Sequence, residues 1–194
     1  EKPLLKSDIL NKSMFVGELS LSGEILPIKG ILPIVIFAKE MGFENIFLPY
    51  DNLAEANIVS DIKNIGIKSL KDLIEILNGE KNYSQNIQIQ IPQTKEYSDF
   101  SDVNGQILLK RAVQIAVAGR HNIMFIGPAG TGKSMIAQRI PGIMPDMTDE
   151  ESLEVSKIYS VCGLLNSNEP VLKMRPYRSP HHTVSPQALS GGGR

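Results

Sequence analysis

The sequence predicts an α/β protein built in two parts. Three observations carry the prediction. An apolar run, Asn122 to Ile126 (NIMFI), leads straight into a glycine-rich turn and then a helical pattern; strand, helix and strand patterns follow one another in the first eighty residues; and a polar stretch separates the two regions. A strand that feeds a helix through a tight glycine turn is a unit of a parallel sheet, so the second part is expected to be a parallel-sheet core.

From the start of the chain, Phe15 to Leu21 alternates apolar and polar residues, Ser22-Gly23 signals a turn, and Glu24 to Pro27 continues as a second short strand. Together they predict a hairpin. Ile31 to Met41 is expected as a buried helix stopped by Gly42, and Asn45 to Leu48 (NIFL) as a strand. Ile65-Gly66-Ile67 is a further extended piece. Ser69 opens the pattern SLKD, a capping box with Asp72 in the usual place of Glu, and Leu70, Leu73, Ile74 and Leu77 share one face of the helix that follows. That helix should end at Asn78-Gly79. Residues 81–98, rich in Gln, Asn, Lys and Ser and holding Pro92, read as a linker with an extended segment at 87–91. The expected division is therefore a domain over 1–80, the linker, and a second domain over 99–194.

In the second domain, Leu108, Leu109, Ala112, Val113, Ile115 and Ala116 recur at helical spacing from about Gln106 to Ala118, and Gly119 ends the helix. The NIMFI strand follows. Lys133 to Ile140 should then be helical until Pro141, and Thr148 with Glu151 forms a capping box that opens a helix running to about Val161.

A hydrophobic content of 42% in 194 residues is enough to bury an ordinary core. The most apolar stretch, Ile25 to Ala38, is broken by Pro27, Lys29 and Pro33, so no membrane span is expected. A single cysteine, Cys162, excludes an internal disulfide, offers no metal cluster and favours a reducing compartment, hence a cytoplasmic location. It is expected as a small buried residue at a helix end. The net charge of -1 hides an asymmetry: residues 1–80 carry twelve acids against eight lysines, and all six arginines lie after position 110. A polyanionic partner should touch the second half. Neither Glu1 nor Arg194, which follows Gly191-Gly192-Gly193, has the look of a natural terminus, and the sequence reads as a fragment.

The stretch Gly127-Pro128-Ala129-Gly130-Thr131-Gly132-Lys133-Ser134 fits G-x-x-x-x-G-K-[ST] at every fixed position and sits between an apolar strand and a helix start. Gly127, Gly130 and Gly132 can take backbone conformations closed to other residues, so the amides can turn toward phosphate oxygens. Lys133 adds a full positive charge at the β and γ phosphates, and the Ser134 hydroxyl can bind Mg²⁺. The helix that follows adds the positive end of its dipole, worth up to about 2 kcal/mol in a favourable site. The expected ligand is ATP with Mg²⁺.

The segment DFSDVNGQ (Asp99 to Gln106), the unit NIMFIGPAGTGKS and the segment RPYRSPHHTVSPQALSGGG (Arg175 to Gly193) closely resemble the magnesium-chelatase-like AAA+ ATPases of the ComM (YifB) family. The resemblance spans residues 99–194 and implies a truncated AAA+ core whose nucleotide site lies between protomers of a ring, commonly a hexamer. It also implies that Val103, Gly105 and Gln106 line the pocket for the base. FVGELSLSGEILPIKGILPIVIFAKEMGFENIFLPYDN (Phe15 to Asn52) resembles the later half of the Lon-protease proteolytic domain, of ribosomal S5 domain 2-like fold, over about residues 14–78. That domain uses a serine and lysine pair, and aligning LPIKG at Leu26 to Gly30 leaves Leu32, Pro33 and Ile34 where the lysine would fall. Lys29 and Lys39 are at the wrong positions, so residues 1–80 are expected to be a non-proteolytic scaffold.

Residues 171–194 hold Lys173, Arg175, Arg178 and Arg194, with Tyr177 and the pair His181-His182, and no acid. Two readings stay open: a contact to single-stranded or branched DNA, or a strand of the core sheet entered through RPYR. The adjacent histidines are expected to bond within the subunit, because neighbours on a strand point to opposite faces and no carboxylate or cysteine lies close in sequence. The terminal LSGGG resembles the place where these ATPases insert a pore-facing hairpin.

No LFLDE-like acidic pair follows the loop, and the sensors, arginine finger and lid are likewise not in this sequence, so no catalytic residue is assigned. The chain alone is expected to bind ATP or ADP weakly and to turn over almost nothing. For the complete protein the resemblance implies a DNA-remodelling motor; the alternative is a chelatase or chaperone-like ATPase acting on a protein partner. An ATP-independent interaction module fits intact Lys133 and Ser134 less well, and a small-molecule kinase does not suit DVNGQ before the loop or SPHHT after it.

Overall fold

The computed structural model describes residues 7–82, 98–166, 169–181, 183–185, 187–188 and 191. The elements in chain order begin with α1 (Ser7–Asn11), β1 (Ser13–Phe15), β2 (Glu18–Leu19), β3 (Ile25–Leu26), α2 (Ile31–Glu40) and β4 (Asn45–Pro49). Then come α3 (Leu53–Ala56), β5 (Lys63–Ile67), α4 (Leu70–Asn78), α5 (Ile107–Ala118), α6 (Lys133–Arg139) and α7 (Asp149–Cys162). They divide into two compact units. One takes the described residues of 1–94 together with 147–173, the other those of 95–146 together with 174–194. The units are drawn by packing and the expected domains by sequence pattern; helix α7 is where the two divisions differ. The extended segment foreseen at 87–91 lies outside the described residues, as do His182, Arg194 and most of the terminal LSGGG.

The first unit is built on a parallel sheet of order β1-β4-β5, with Phe15 opposite Phe47 and Phe47 opposite Ile65. Strand β4 is covered on both faces, which explains why it reads as an apolar run rather than an alternation. Ile46 and Leu48 pack with Ile31, Val35 and Ala38 of α2 and Leu53 and Ala56 of α3. Phe47, one residue out of phase, packs with Ile65, Ile67 and Leu77, against which Leu73 and Ile76 of α4 lie. Ser69 caps α4, its hydroxyl accepting from the Asp72 amide at 3.1 Å, as the SLKD pattern requires.

The hairpin is present, but shorter than its pattern. β2 pairs with β3 antiparallel, while Phe15 belongs to β1 and stacks on Phe47 with ring centroids 4.9 Å apart. The alternation at 15–21 therefore serves two strands in two different sheets.

Helix α7 opens with the complete Thr148–Glu151 capping box and packs against α2. Its buried face is a row of serines four residues apart, Ser152, Ser156 and Ser160, which lets the backbones approach closely. Each hydroxyl has main-chain work. Ser152 Oγ donates to the Leu172 carbonyl at 2.6 Å, Ser156 Oγ accepts from the Leu172 amide at 2.9 Å, and Ser160 Oγ accepts from the Leu32 amide at 3.4 Å. The Leu32 amide also donates to Glu55 Oε1 at 3.1 Å. Partial burial raises the Glu55 pKa above its usual value, opposed by the hydrogen bonds from Ser160 and Leu32. Cys162 closes α7 as expected of a helix-end residue, but it is exposed rather than buried, because the serine row takes the inward face.

The second unit is organised by Val103, Val113 of α5 and Ile136 of α6, with Phe100, Leu109, Phe125 and Ile140 packed around them. Helices α5 and α6 lie within a residue or two of their expected limits, and Pro141 sits in a 3-10 turn directly after α6. The strand expected at 122–126 does not form: among the described residues none pairs with it, and a strand needs a ladder partner for its main-chain groups. Its alternation survives, since Phe125 turns into the core while Met124 and Ile126 stand 80% and 88% exposed. The segment around RPYR likewise forms no strand among the described residues. No described helix is long and apolar enough to cross a membrane.

Two outcomes follow from the α7 contact. Ser156→Ala should lower stability by about 1 kcal/mol, seen as a lower urea midpoint at unchanged slope, because the Leu172 amide loses its acceptor. An unchanged midpoint would show that this amide finds water instead. Because the folded pKa of Glu55 is raised, the folded state holds its proton more tightly. Its contribution is therefore present below the usual value of 4.5 and is lost as pH rises through the folded pKa. Glu55→Gln keeps an acceptor for Leu32 without the charge, so its stability relative to wild type should be greater at pH 7 than at pH 4. Parallel pH profiles would contradict the assignment.

Candidate functional site

The loop Gly127–Ser134 sits directly ahead of α6, whose first residue is Lys133. Two glycines give it its shape: Gly130 at φ 80° and Gly132 at φ 81° lie in the left-handed region. A Cβ at Gly130 would meet nothing within 4 Å, so conformation alone, and not space, demands glycine there. Gly127, also read from the sequence as a conformational glycine, does not take a positive φ, and a Cβ on it would lie 3.5 Å from Thr131 Oγ1.

The Lys133 ammonium folds back over the loop. It donates to the Gly127 carbonyl at 2.8 Å, the Pro128 carbonyl at 2.5 Å and Thr131 Oγ1 at 3.3 Å. Thr131 Oγ1 itself donates to the Pro128 carbonyl at 2.9 Å, which closes the turn. A positive charge is thus centred on the loop by main-chain oxygens, with no carboxylate among these partners to neutralise it. Ala129 and Ser134 are exposed, Ser134 in the first turn of α6. Glycines in the required conformation, a centred ammonium and an accessible hydroxyl together fit a polyphosphate with a divalent cation.

The segment 99–106 lies beside this loop. Gly105 (φ 70°) and Gln106 (φ 52°) turn the chain into α5, and Gln106 Nε2 donates to the Thr131 carbonyl at 3.1 Å. Of the residues read as lining a base pocket, Gln106 and Gly105 are exposed there. Val103 is 2% exposed and packs into the core, while its carbonyl accepts from Lys110 Nζ.

Sequence reasoning missed Arg139. Its Nε donates to the Asp99 carbonyl at 3.1 Å, Nη1 to the Met135 carbonyl at 3.1 Å, and Nη2 reaches Asp102 Oδ2 at 3.4 Å. The Asp99 carboxylate accepts from the Ser101 amide at 2.6 Å, which holds its pKa below the usual carboxylate range. An arginine in the pattern MIAQRI gives no sign of partners some forty residues earlier, so nothing local could have found it.

In the basic segment, Arg175 Nε donates to the Pro145 carbonyl at 2.7 Å and Nη2 to the Asp146 carbonyl at 3.4 Å. His181 Nδ1 pairs with Thr183 Oγ1 at 2.8 Å, a bond within the subunit. Tyr177, Arg178, Ser179, Pro180, Val184 and Ala188 line a hollow in which Tyr177 is exposed.

Comparison with known proteins gives the family of the chain. The family model for magnesium chelatase, subunit ChlI, matches residues 99–194, and a second model, subunit ChlI of Mg-chelatase, matches residues 3–52. An uncharacterized protein of Mycobacterium tuberculosis is 41% identical over 184 residues, 95% of this chain and 37% of that protein. The competence protein ComM of Haemophilus influenzae is 37% identical over 195 residues, 97% of this chain and 38% of ComM. Lon protease 2 of Bacillus subtilis is 34% identical over 73 residues, 38% of this chain and 13% of that protease. The chain thus spans under two fifths of the length of the relatives it matches.

Proposed function

The chain belongs to the magnesium chelatase subunit ChlI family, and from that premise we propose that it is the nucleotide-binding part of a ring-forming AAA+ ATPase that remodels DNA. The observation that carries the reading is the loop itself: Lys133 centred by the carbonyls of Gly127 and Pro128 between two left-handed glycines. Exchanging neutral carbonyls for phosphate oxygens adds the attraction of a full negative charge to bonds that the ammonium already makes as a charged donor.

In this proposal Gly127, Pro128, Ala129, Gly130, Thr131 and Gly132 wrap the phosphates of ATP, Lys133 holds them, and Ser134 holds Mg²⁺. When bound, the ion would neutralise charge on the phosphates. Gln106, Gly105 and Val103 belong to the segment that meets the nucleoside, Gln106 by its amide and Val103 by fixing the segment in the core. The domain assignment of 1–80 as a Lon-like, non-proteolytic scaffold and 99–194 as the start of an AAA+ core is proposed with it. The match to a Lon protease over 73 residues supports the first, and apolar Leu32, Pro33 and Ile34 speak against an active dyad.

The DNA client is supported by the name of one relative, a competence protein, and by the acid-free stretch with an exposed Tyr177 beside Arg178. A hexameric ring in the cytoplasm, working by branch migration or as a helicase, is part of the same proposal. The chelatase name of the family supports the alternative, a ring that remodels a protein partner.

ATP turnover by the complete protein should rise with single-stranded DNA and vanish in Lys133→Ala, with or without DNA, since the variant removes the charge that holds the phosphates. Lys133-dependent turnover that ignores DNA would favour the protein-remodelling alternative. The 194-residue chain alone should bind ATP or ADP weakly, measured by calorimetry, and show almost no turnover, because it carries the phosphate-holding half of the chemistry. Sustained turnover by the chain alone would refute that division.

A further inference from the structure

Arg139 stands at the end of the helix that begins with Lys133, and its side chain is only 16% exposed. Its three hydrogen bonds divide in a telling way. One, to the Met135 carbonyl, keeps the side chain along its own helix; the other two reach back to Asp99 and Asp102. A planar fork with its donors in fixed directions locks its partners in orientation as well as distance. The partners, in turn, are ordered locally. The Ser101 amide holds the Asp99 carboxylate, and the Val103 amide donates to the Phe100 carbonyl at 3.2 Å.

The far end of the same segment is fixed against the phosphate loop by Gln106 Nε2 on the Thr131 carbonyl. Segment 99–106 is therefore fastened at both ends to the loop-and-helix unit, by Arg139 at the start and Gln106 at the finish. Between these points it turns through two consecutive left-handed residues, Gly105 and Gln106, and such a turn is held only where the surroundings determine it.

We propose that Arg139 is a positioning residue that sets which nucleoside the site accepts, by holding segment 99–106 in register with the phosphate loop. The inference rests on the nucleotide reading above and adds a role to it. Phosphate binding is local to 127–134 and does not pass through Arg139. Contact with the sugar and base does, because the segment that would make it is placed by the fork. Lysine cannot replace it, since a single ammonium cannot serve the Asp99 carbonyl and the Asp102 carboxylate in fixed directions.

The test compares the complete protein with its Arg139→Ala, Arg139→Lys and Asp102→Asn variants, measuring the Kd of ATP, GTP and inorganic triphosphate by calorimetry and the thermal midpoint of each. Arg139→Ala should weaken ATP by about tenfold, narrow the ratio of ATP to GTP affinity, and leave triphosphate within about twofold. Arg139→Lys should restore little of this, and Asp102→Asn should shift the ratio in the same direction by less. Parallel loss of ATP and triphosphate affinity would show that Arg139 merely stabilises the unit and would overturn the inference. Should Arg139→Ala fail to fold, an unaltered ratio in Asp102→Asn and Arg139→Lys would overturn it equally. Wild-type protein that binds ATP no tighter than triphosphate would instead overturn the nucleotide reading itself, and this inference with it.

Discussion

A main-chain polar group taken out of water must find a partner, because leaving it unmet costs about 1–3 kcal/mol. The described structure depends on how that requirement is met at a few places. In the first unit β4 meets it with two parallel neighbours, and so can be apolar on both faces. At the α7 contact, where no sheet is available, serine hydroxyls and the Glu55 carboxylate meet it instead, serving the amides of Leu172 and Leu32. In the second unit the charged ends of Lys133 and Arg139 take up main-chain carbonyls, which gives the loop 127–134 and its flanking segment their shape.

The same requirement explains what could be read from the sequence. Local signals were legible. The SLKD and TDEE caps, the glycines after α2, α4 and α5 and the apolar face of α4 depend on residues within a turn of one another, and their elements stand where the pattern puts them. Signals that need a distant partner were not. The run NIMFI has the composition of a strand, but a strand is a relation between two segments, and no described residue pairs with it. The alternation at 15–21 was visible, yet nothing in it says that Phe15 will pair with β4 and Leu19 with β3.

Within the candidate site the division is similar. The loop was legible because its chemistry is contiguous: left-handed turns at Gly130 and Gly132 and a lysine directly after the second of them. Its fastening was not legible. Arg139 meets Asp99 and Asp102 across about forty residues, and Gln106 meets Thr131 across twenty-five. Neither pairing has a sequence period to announce it. Cys162 makes the same point: its place at a helix end was readable, but its exposure was decided by which face of α7 the serines occupy.

Binding strength and selectivity in such a site have separate physical sources. A loop that holds phosphates works through net charge and main-chain dipoles, and these act on any polyphosphate alike. Choosing one nucleoside over another requires neutral groups at fixed positions, since a misplaced donor or acceptor is worth little and an unmet one is costly. Charge can be supplied by a short motif, whereas fixed placement has to be supplied by the surrounding fold. A rigid guanidinium at one end of segment 99–106 and a side-chain amide at the other are an economical means of placement, because each acts on main-chain carbonyls whose positions do not depend on rotamer choice. Under the proposed nucleotide reading, the residues that decide selectivity are therefore to be sought away from the glycine loop, among the side chains that hold its neighbour in place.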